Sequence, residues 1–460
     1  MKLINCIGAG VIAAMLAGTA AAQTGAAPTG VPHLDHVFVI MMENHSYQQV
    51  IGNPAMPFVN GLISNGSVNV ATQYYAVGHP SLTNYLEIVG GSNFGVRSDN
   101  APDWHNHSCK SNLQTGIVNA DDYSGANGHP PARIDSGNIC PISGYGFDAQ
   151  TEAVDDWNET NAPVFNYLAN IDGARSVPAA KTQGISIADQ LVNAGLSWKS
   201  YQESLPVGGA DEVNSSNGTA TDKTTFDATL PLSPTNLPGV PTTPVSGVLS
   251  AYAVKHNPFA YFASVQNGYT PALSLARTVG FDGKGGLYAD LAAGTVPSFS
   301  FIAPNQCDDQ HGRGNGDSFC QYDPGVASYE GYTDGSQLGL NPGLSAQADT
   351  TVKRLVTTIT NSPAWRNGNN AIVVVWDEND YSGLPTAPAT AGDFLKGNLN
   401  QVVLTVQLNN AYAARGVHSS NFYDSFSLLK TLEAGFGLPC LNHACDRDVA
   451  TMADLFGGRR

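Results

Sequence analysis

At 460 residues and 42% hydrophobic content the chain can bury a sizeable core, and its 49 glycines and 27 prolines are spread without a linker-like tract. One large α/β domain with insertions is therefore expected rather than two or three average domains. The formal charge of −17, with 21 Lys and Arg against 38 Asp and Glu, excludes nucleic acid as an expected partner and argues against charge-driven adhesion to anionic membranes. An anionic ligand such as phosphate would need a metal ion or a few focused donors to offset the protein's own field.

Residues 1–22 read as an export signal: Lys2 gives the charged start, Ile7 to Ala17 the apolar middle, and Ala20-Ala21-Ala22 the small-residue cleavage site. The apolar part is shorter than the ~20 residues a membrane span needs, and no later stretch is long and apolar enough for stable membrane insertion. Removing the signal leaves Cys109, Cys140, Cys307, Cys320, Cys440 and Cys445. An even number in an exported chain implies disulfides, with nearest-neighbour pairing expected from loop proximity; zinc is the rival reading, but no Cys-x-x-Cys pair is present.

In chain order, the first element is a short apolar run, Val37 to Met42, read as a buried central parallel strand. At its carboxyl end polarity flips to Glu43-Asn44-His45-Ser46, where open α/β sheets place their ligands. A short helix is expected from Pro57, then a strand over Val68 to Tyr75. Pro80 fits a first helical turn, and Leu82, Tyr85, Leu86 and Val89 mark one face before a Gly90-Gly91 stop. Ser81 thus sits at a helix start, where backbone N–H groups favour an anion. Residues 92–176 and about 207–250 read as loop-rich insertions, and His105, His107 and His129 in the first of them as surface histidines. A capped helix over Ser186 to Gly195 leads into a strand to Tyr201. Leu287 to Ala292 reads as a helix, and Ser298 to Ala303 as a strand followed by Asp308-Asp309-Gln310-His311. A helix over Ala346 to Ser362 precedes the clearest strand, from Ala371 to Trp376, which runs into Asp377 and Glu378. Gln401 to Leu408 is a further strand and Tyr423 to Gly435 a final helix. This alternation predicts a doubly wound, mostly parallel sheet with helices on both faces.

Three strand ends thus carry acids: Glu43 with Asn44, Asp309 with His311, and Asp377 with Glu378. In a parallel sheet these ends share one edge, and an oxygen-rich cluster there suits a hard or borderline divalent cation, with Ca, Mg, Mn or Zn all open. Such an ion would lower the pKa of the Ser81 hydroxyl. The bland alternative is that the acids cap helices and join surface networks.

The segments Glu43-Asn44-His45-Ser46, His79-Pro-Ser-Leu-Thr-Asn-Tyr85, Ile187-Ala-Asp-Gln-Leu191, Ser197-Trp-Lys-Ser-Tyr201, Lys255-His-Asn-Pro-Phe259, Trp376-Asp-Glu378 and Ser427-Leu-Leu-Lys-Thr-Leu-Glu433 together resemble the bacterial phosphoesterase family. That family comprises secreted acid phosphatases and phospholipases C and belongs to the alkaline phosphatase superfamily. The resemblance implies Ser81 as the nucleophile and Asn84 as an amide holding phosphate oxygens. It also implies Glu43, Asn44, Ser81, Asp377 and Glu378 as metal ligands. Asp309 and His311 fall where the family has an acid-and-histidine segment, suited to a second cation subsite or to protonating the leaving alkoxide. His79 is either a phosphate contact or a turn-stabilising residue, and His256 could equally be a packed, hydrogen-bonded histidine. Many relatives carry Asn-His before the final helix where this chain has Asp424-Ser425, leaving His418 as the nearby substitute in the second subsite. The implied substrate is a small phosphate monoester, with a phospholipid head group or a silent binding role as alternatives. Oligomeric state is left open.

Overall fold

A computed structural model describes residues 25–78, 80–109, 113, 119–120, 138–149, 151, 174–175, 177–206, 208–213, 252–312, 342–379 and 400–458. The export signal at 1–22, His79, His129, Cys320 and most of both insertions lie outside these residues.

The sheet strands are β1 (His36–Met42), β2 (Asn69–Tyr75), β3 (Trp198–Gln202), β4 (Thr278–Val279), β5 (Phe299–Ala303), β6 (Asn370–Trp376), β7 (Gln401–Leu408), β8 (His418–Ser419) and β9 (Tyr423–Asp424). The described residues order them β8-β2-β7-β6-β1-β5-β3-β4, with β9 also on β2. β1 pairs in parallel with β6 and β5, which accounts for its unbroken apolar run: both faces are covered. One strand runs against the rest, since β7 is antiparallel to both β6 and β2. The sheet is therefore mostly parallel, as expected, but mixed.

Among the described residues, the α-helices of seven or more residues are α1 (Pro57–Ser64), α2 (Ser81–Gly90), α3 (Ile187–Asn193), α4 (Leu287–Ala293), α5 (Pro342–Asn361) and α6 (Ser425–Phe436). α2 packs against α6, and α1 against α5. Every residue of α2 is buried, so it holds Ser81 on a rigid element. The helix ends at Gly91, whose φ of +68° is left-handed and whose missing side chain leaves room for the Leu441 carbonyl. α3 carries the expected capping box between Ser186 and Asp189.

Cys109–Cys140 and Cys440–Cys445 are bonded as nearest neighbours. The second bridge closes a turn in which His443 donates its backbone N–H to Gly91 O at 2.9 Å. The His443 ring lies between Asp446 (2.7 Å) and Asp148 (3.0 Å). Burial opposes its charge, yet these two carboxylates push its pKa up to about 10. A folded pKa raised above the unfolded value gives stability that is complete below about pH 6.5 and is lost as pH rises through 10. The wild-type melting temperature should therefore fall between pH 7 and 10, and His443→Gln, less stable at pH 6, should show a flatter profile in a thermal melt series. Parallel profiles would refute the contribution.

Candidate functional site

The parallel register sets Met42 opposite Trp376, so the next residues, Glu43 and Asp377, emerge level at the carboxyl edge of adjacent strands. Asp377 N donates to Met42 O (3.0 Å), and Glu43 N donates to Asp309 O (2.9 Å), which brings the loop after β5 to the same place. Asn44 N donates to Asp377 Oδ1 at 2.9 Å. Three strand ends thereby meet at one edge.

α2 delivers the hydroxyl to this cluster. Ser81 Oγ, buried, lies 3.2 Å from Glu43 Oε2 and 3.1 Å from Glu378 Oε1. Tyr85, one turn on, donates its hydroxyl to Glu43 Oε1 at 2.6 Å. Asn84 accepts from Val77 N and Gly78 N, and its amide donates to Gly78 O and Glu378 Oε2. It therefore braces the turn before Ser81 and ties that turn to Glu378. Leu82 N at the helix start donates to Asp99 Oδ1 (3.0 Å), so a side chain already occupies one of the backbone donors expected to face an anion.

His256 is fully enclosed here and stacks on Tyr85 with ring centroids 5.2 Å apart. Its Nε2 is 3.0 Å from Glu43 Oε1, out of alignment for a hydrogen bond, and its Nδ1 is 3.4 Å from Asp309 Oδ2. Burial and the neighbouring Lys255 hold its pKa well below the usual imidazole range, so it is neutral. The His311 ring centroid is 6.2 Å from that of His256, and its backbone N–H donates to Asp309 Oδ1. Lys255 Nζ is paired with Asp99 Oδ2 at 3.0 Å. Sequence reasoning gave Lys255, Asp99 and Tyr85 no role and left His256 undecided. The available signals were the family-like segments that contain Tyr85 and Lys255-His256, and the polar Lys255-His256-Asn257 run beside the apolar, aromatic Pro258 to Phe262.

His418 is not part of this cluster. It opens edge strand β8, exposed, opposite Val70, and the pairings Val70–Thr405, Thr405–Val374 and Val374–Ile40 set it level with the middle of β1. With β2, β7 and β6 between them, it is displaced by roughly 19 Å at about 4.8 Å per strand. A second subsite built on Asp309, His311 and His418 therefore loses its last member. Asp424 caps α6 by accepting from Ser427 N and pairs with Arg175 at 2.8 Å.

The electrostatics are those of an overcrowded acid pocket. Burial pushes the Glu43 carboxyl up to about 8, with Lys255 pulling it back. Burial and repulsion from Glu43 hold Asp309 and Asp377 well above the usual carboxylate range. Asn44 Oδ1, Asp377 Oδ2 and Asp309 Oδ2 are buried and make no hydrogen bond. Among the described residues, no three His, Cys, Asp or Glu side chains close on one point as a ready ligand set.

A model of the Phosphoesterase family matches residues 53–321 and 342–439. Among curated relatives, a phosphatidylinositol-3-phosphatase of Mycobacterium tuberculosis is 38% identical over 96 residues, 20% of this chain and 31% of the relative. An acid phosphatase of Aspergillus fumigatus is 22% identical over 275 residues, 60% of this chain and 36% of the relative. The chain spans about a third of the length of the curated relatives it matches. Among solved structures, a protein in the alkaline phosphatase superfamily from Vibrio parahaemolyticus is 9% identical with a TM-score of 0.39, covering 92% of this chain and 72% of that one. The phosphonate monoester hydrolase of Agrobacterium radiobacter is 12% identical with a TM-score of 0.40, covering 93% and 78%.

Proposed function

The chain belongs to the Phosphoesterase family, and on that premise we propose that it is an exported, metal-dependent phosphoesterase that hydrolyses phosphate monoesters, in the manner of an acid phosphatase, through a phosphoserine on Ser81. The observation that carries the reading is the buried Ser81 hydroxyl at a helix start, within 3.2 Å of Glu43 and 3.1 Å of Glu378. A serine so held has carboxylate oxygens to receive its proton and a rigid helix to aim it.

The residues fit a divalent cation. Among the described residues, Glu43, Asp377, Glu378, Asp309 and Asp99 share the pocket with the Lys255 ammonium, and the orphaned oxygens of Asn44 and Asp377 lie together at the strand ends. Glu43, Asn44, Ser81, Asp377 and Glu378 would hold the ion, drawing together around it. When bound, the ion supplies charge that lowers the pKa of the hydroxyl and offsets an incoming phosphate.

Ser81 Oγ attacks phosphorus in line with the leaving oxygen while its proton passes to an adjacent carboxylate, and water then cleaves the phosphoserine. Asn84 and Tyr85 fix the carboxylates against which Ser81 is set. We assign protonation of the departing alkoxide to His311, whose backbone is held by Asp309 and whose ring Nδ1 lies 2.8 Å from Gly312 O; neutral, enclosed His256 separates the Glu43 and Asp309 carboxyls. The disulfides and the absence, among the described residues, of any helix able to cross a membrane accord with export.

One relative's name specifies a phosphoinositide phosphatase, which favours a lipid-borne monoester as the second reading. The test is metal analysis of the purified protein together with a panel of p-nitrophenyl phosphate, phosphatidylinositol 3-phosphate and phosphatidylcholine before and after chelation. Monoester turnover abolished by chelator and restored by a divalent cation is expected. Head-group release from phosphatidylcholine alone would make it a phospholipase C, and cation binding without turnover of any ester would make it a silent binding protein.

A further inference from the structure

Lys255 belongs to a short 3-10 turn, Val254–His256, packed against α2, and its side chain is 5% exposed. A buried ammonium carries three donors, and the described contacts of Lys255 use one, at 3.0 Å to Asp99 Oδ2. The same Asp99 accepts the backbone N–H of Leu82 through its other oxygen. One carboxylate therefore ties the ammonium to the first turn of the helix that carries Ser81. The field of Lys255 reaches the rest of the pocket, favouring the ionised forms of Glu43, Asp309 and Asp377. Among the described residues, Lys255 is the cationic side chain whose field Glu43, Asp309 and Asp377 share.

Resting on the phosphoesterase reading above, we infer that Lys255, held by Asp99 beside Ser81, binds a non-bridging phosphoryl oxygen with its unused donors and selects dianionic phosphate monoesters over monoanionic diesters. The physical reason is charge number. A monoester presents one more negative charge than a diester, and a desolvated ammonium at fixed range discriminates by that charge, whereas hydrogen bonds from neutral donors do so far less. Asp99 acts through Lys255 and is a positioning residue.

The experiment compares metal-supplemented wild type with Lys255→Met and Lys255→Arg on p-nitrophenyl phosphate and bis-p-nitrophenyl phosphate, with competitive inhibition by inorganic phosphate measured alongside. Removing a charge-assisted contact should lower monoester kcat/KM at least about 30-fold. Diester kcat/KM should change less than about threefold, so that the selectivity ratio collapses. Phosphate inhibition should weaken in step with the monoester, and Lys255→Arg should restore most of the ratio. Because Lys255→Met leaves Asp99 unpaired, the double variant Lys255→Met/Asp99→Asn keeps the test open if the single one does not fold. Equal losses on both esters would show a general structural counter-ion and overturn the assignment, as would an unchanged ratio. A wild type that turns over neither ester sinks the phosphoesterase reading instead. Lys255 is then judged by calorimetric binding of inorganic phosphate alone, which Lys255→Met must weaken for the assignment to stand.

Discussion

Replacing Ser81 with alanine should lower turnover of p-nitrophenyl phosphate by about 10⁴-fold or more, the scale on which enzymes lose rate when their nucleophile is removed. The substitution deletes one oxygen from a pocket whose other members are held independently: Glu43 by Tyr85, Asp377 by its backbone bond to Met42, and Glu378 by Asn84. Folding should therefore survive, and cation binding should be weakened by the lost Ser81 oxygen but kept by the four remaining ligands, which separates lost chemistry from lost structure. Acid quenching of the wild type during turnover should leave a phosphoserine at residue 81, detectable by mass spectrometry of the peptide that contains it. A Ser81→Ala protein with activity near wild type would end the nucleophile assignment, and so would a phosphorylated residue elsewhere.

Cation binding to metal-free protein at pH 7 should expel protons and tighten as the pH is raised from 5 to 8. With Glu43 pushed up to about 8 by burial, and Asp377 and Asp309 also raised, the metal-free pocket carries protons that a cation must displace. The sign for stability follows from the same shift. The metal-free fold binds a proton at Glu43 that the unfolded chain has released, so the associated stability is complete below the unfolded value of about 4.5 and is lost as pH rises through 8. The gap in melting temperature between cation-loaded and chelator-treated protein should widen between pH 5 and 8. Calorimetry in buffers of differing ionisation enthalpy would count the released protons. Asp377→Asn should weaken binding at least about 100-fold, the upper end of what losing even an outer-shell partner costs. Binding that is independent of pH and indifferent to Asp377→Asn would place the cation elsewhere.

The hydrophobic patterns of β1 and β6 were legible because burial on both faces demands unbroken apolar runs, and the flip to Glu43 and Asp377 marks where the apolar strands give way to the buried acid pocket. The limits of α2 were equally local, set by Pro80 before it and the left-handed Gly91 after it. Lys255 and His256 gave no comparable signal: a buried lysine reads the same as a solvated one until its partner is known, and Asp99 lies 156 positions away. His418 failed for the converse reason, since closeness in sequence to the last helix says nothing about which edge of the sheet a strand joins.

The amino-acid order by itself determined which main segments are strands and helices, which of them end on acids, and that Ser81 sits at the start of a helix with one apolar face. These are consequences of local periodicity and capping, written within a few residues. Only the tertiary structure decided that Glu43, Asp309, Asp377 and Ser81 meet, that β7 runs against its neighbours, that Lys255 and His256 complete the pocket and that His418 is excluded from it. Those outcomes depend on strand register and crossover between segments hundreds of positions apart, where burial and charge pairing choose among arrangements that local patterns leave equal.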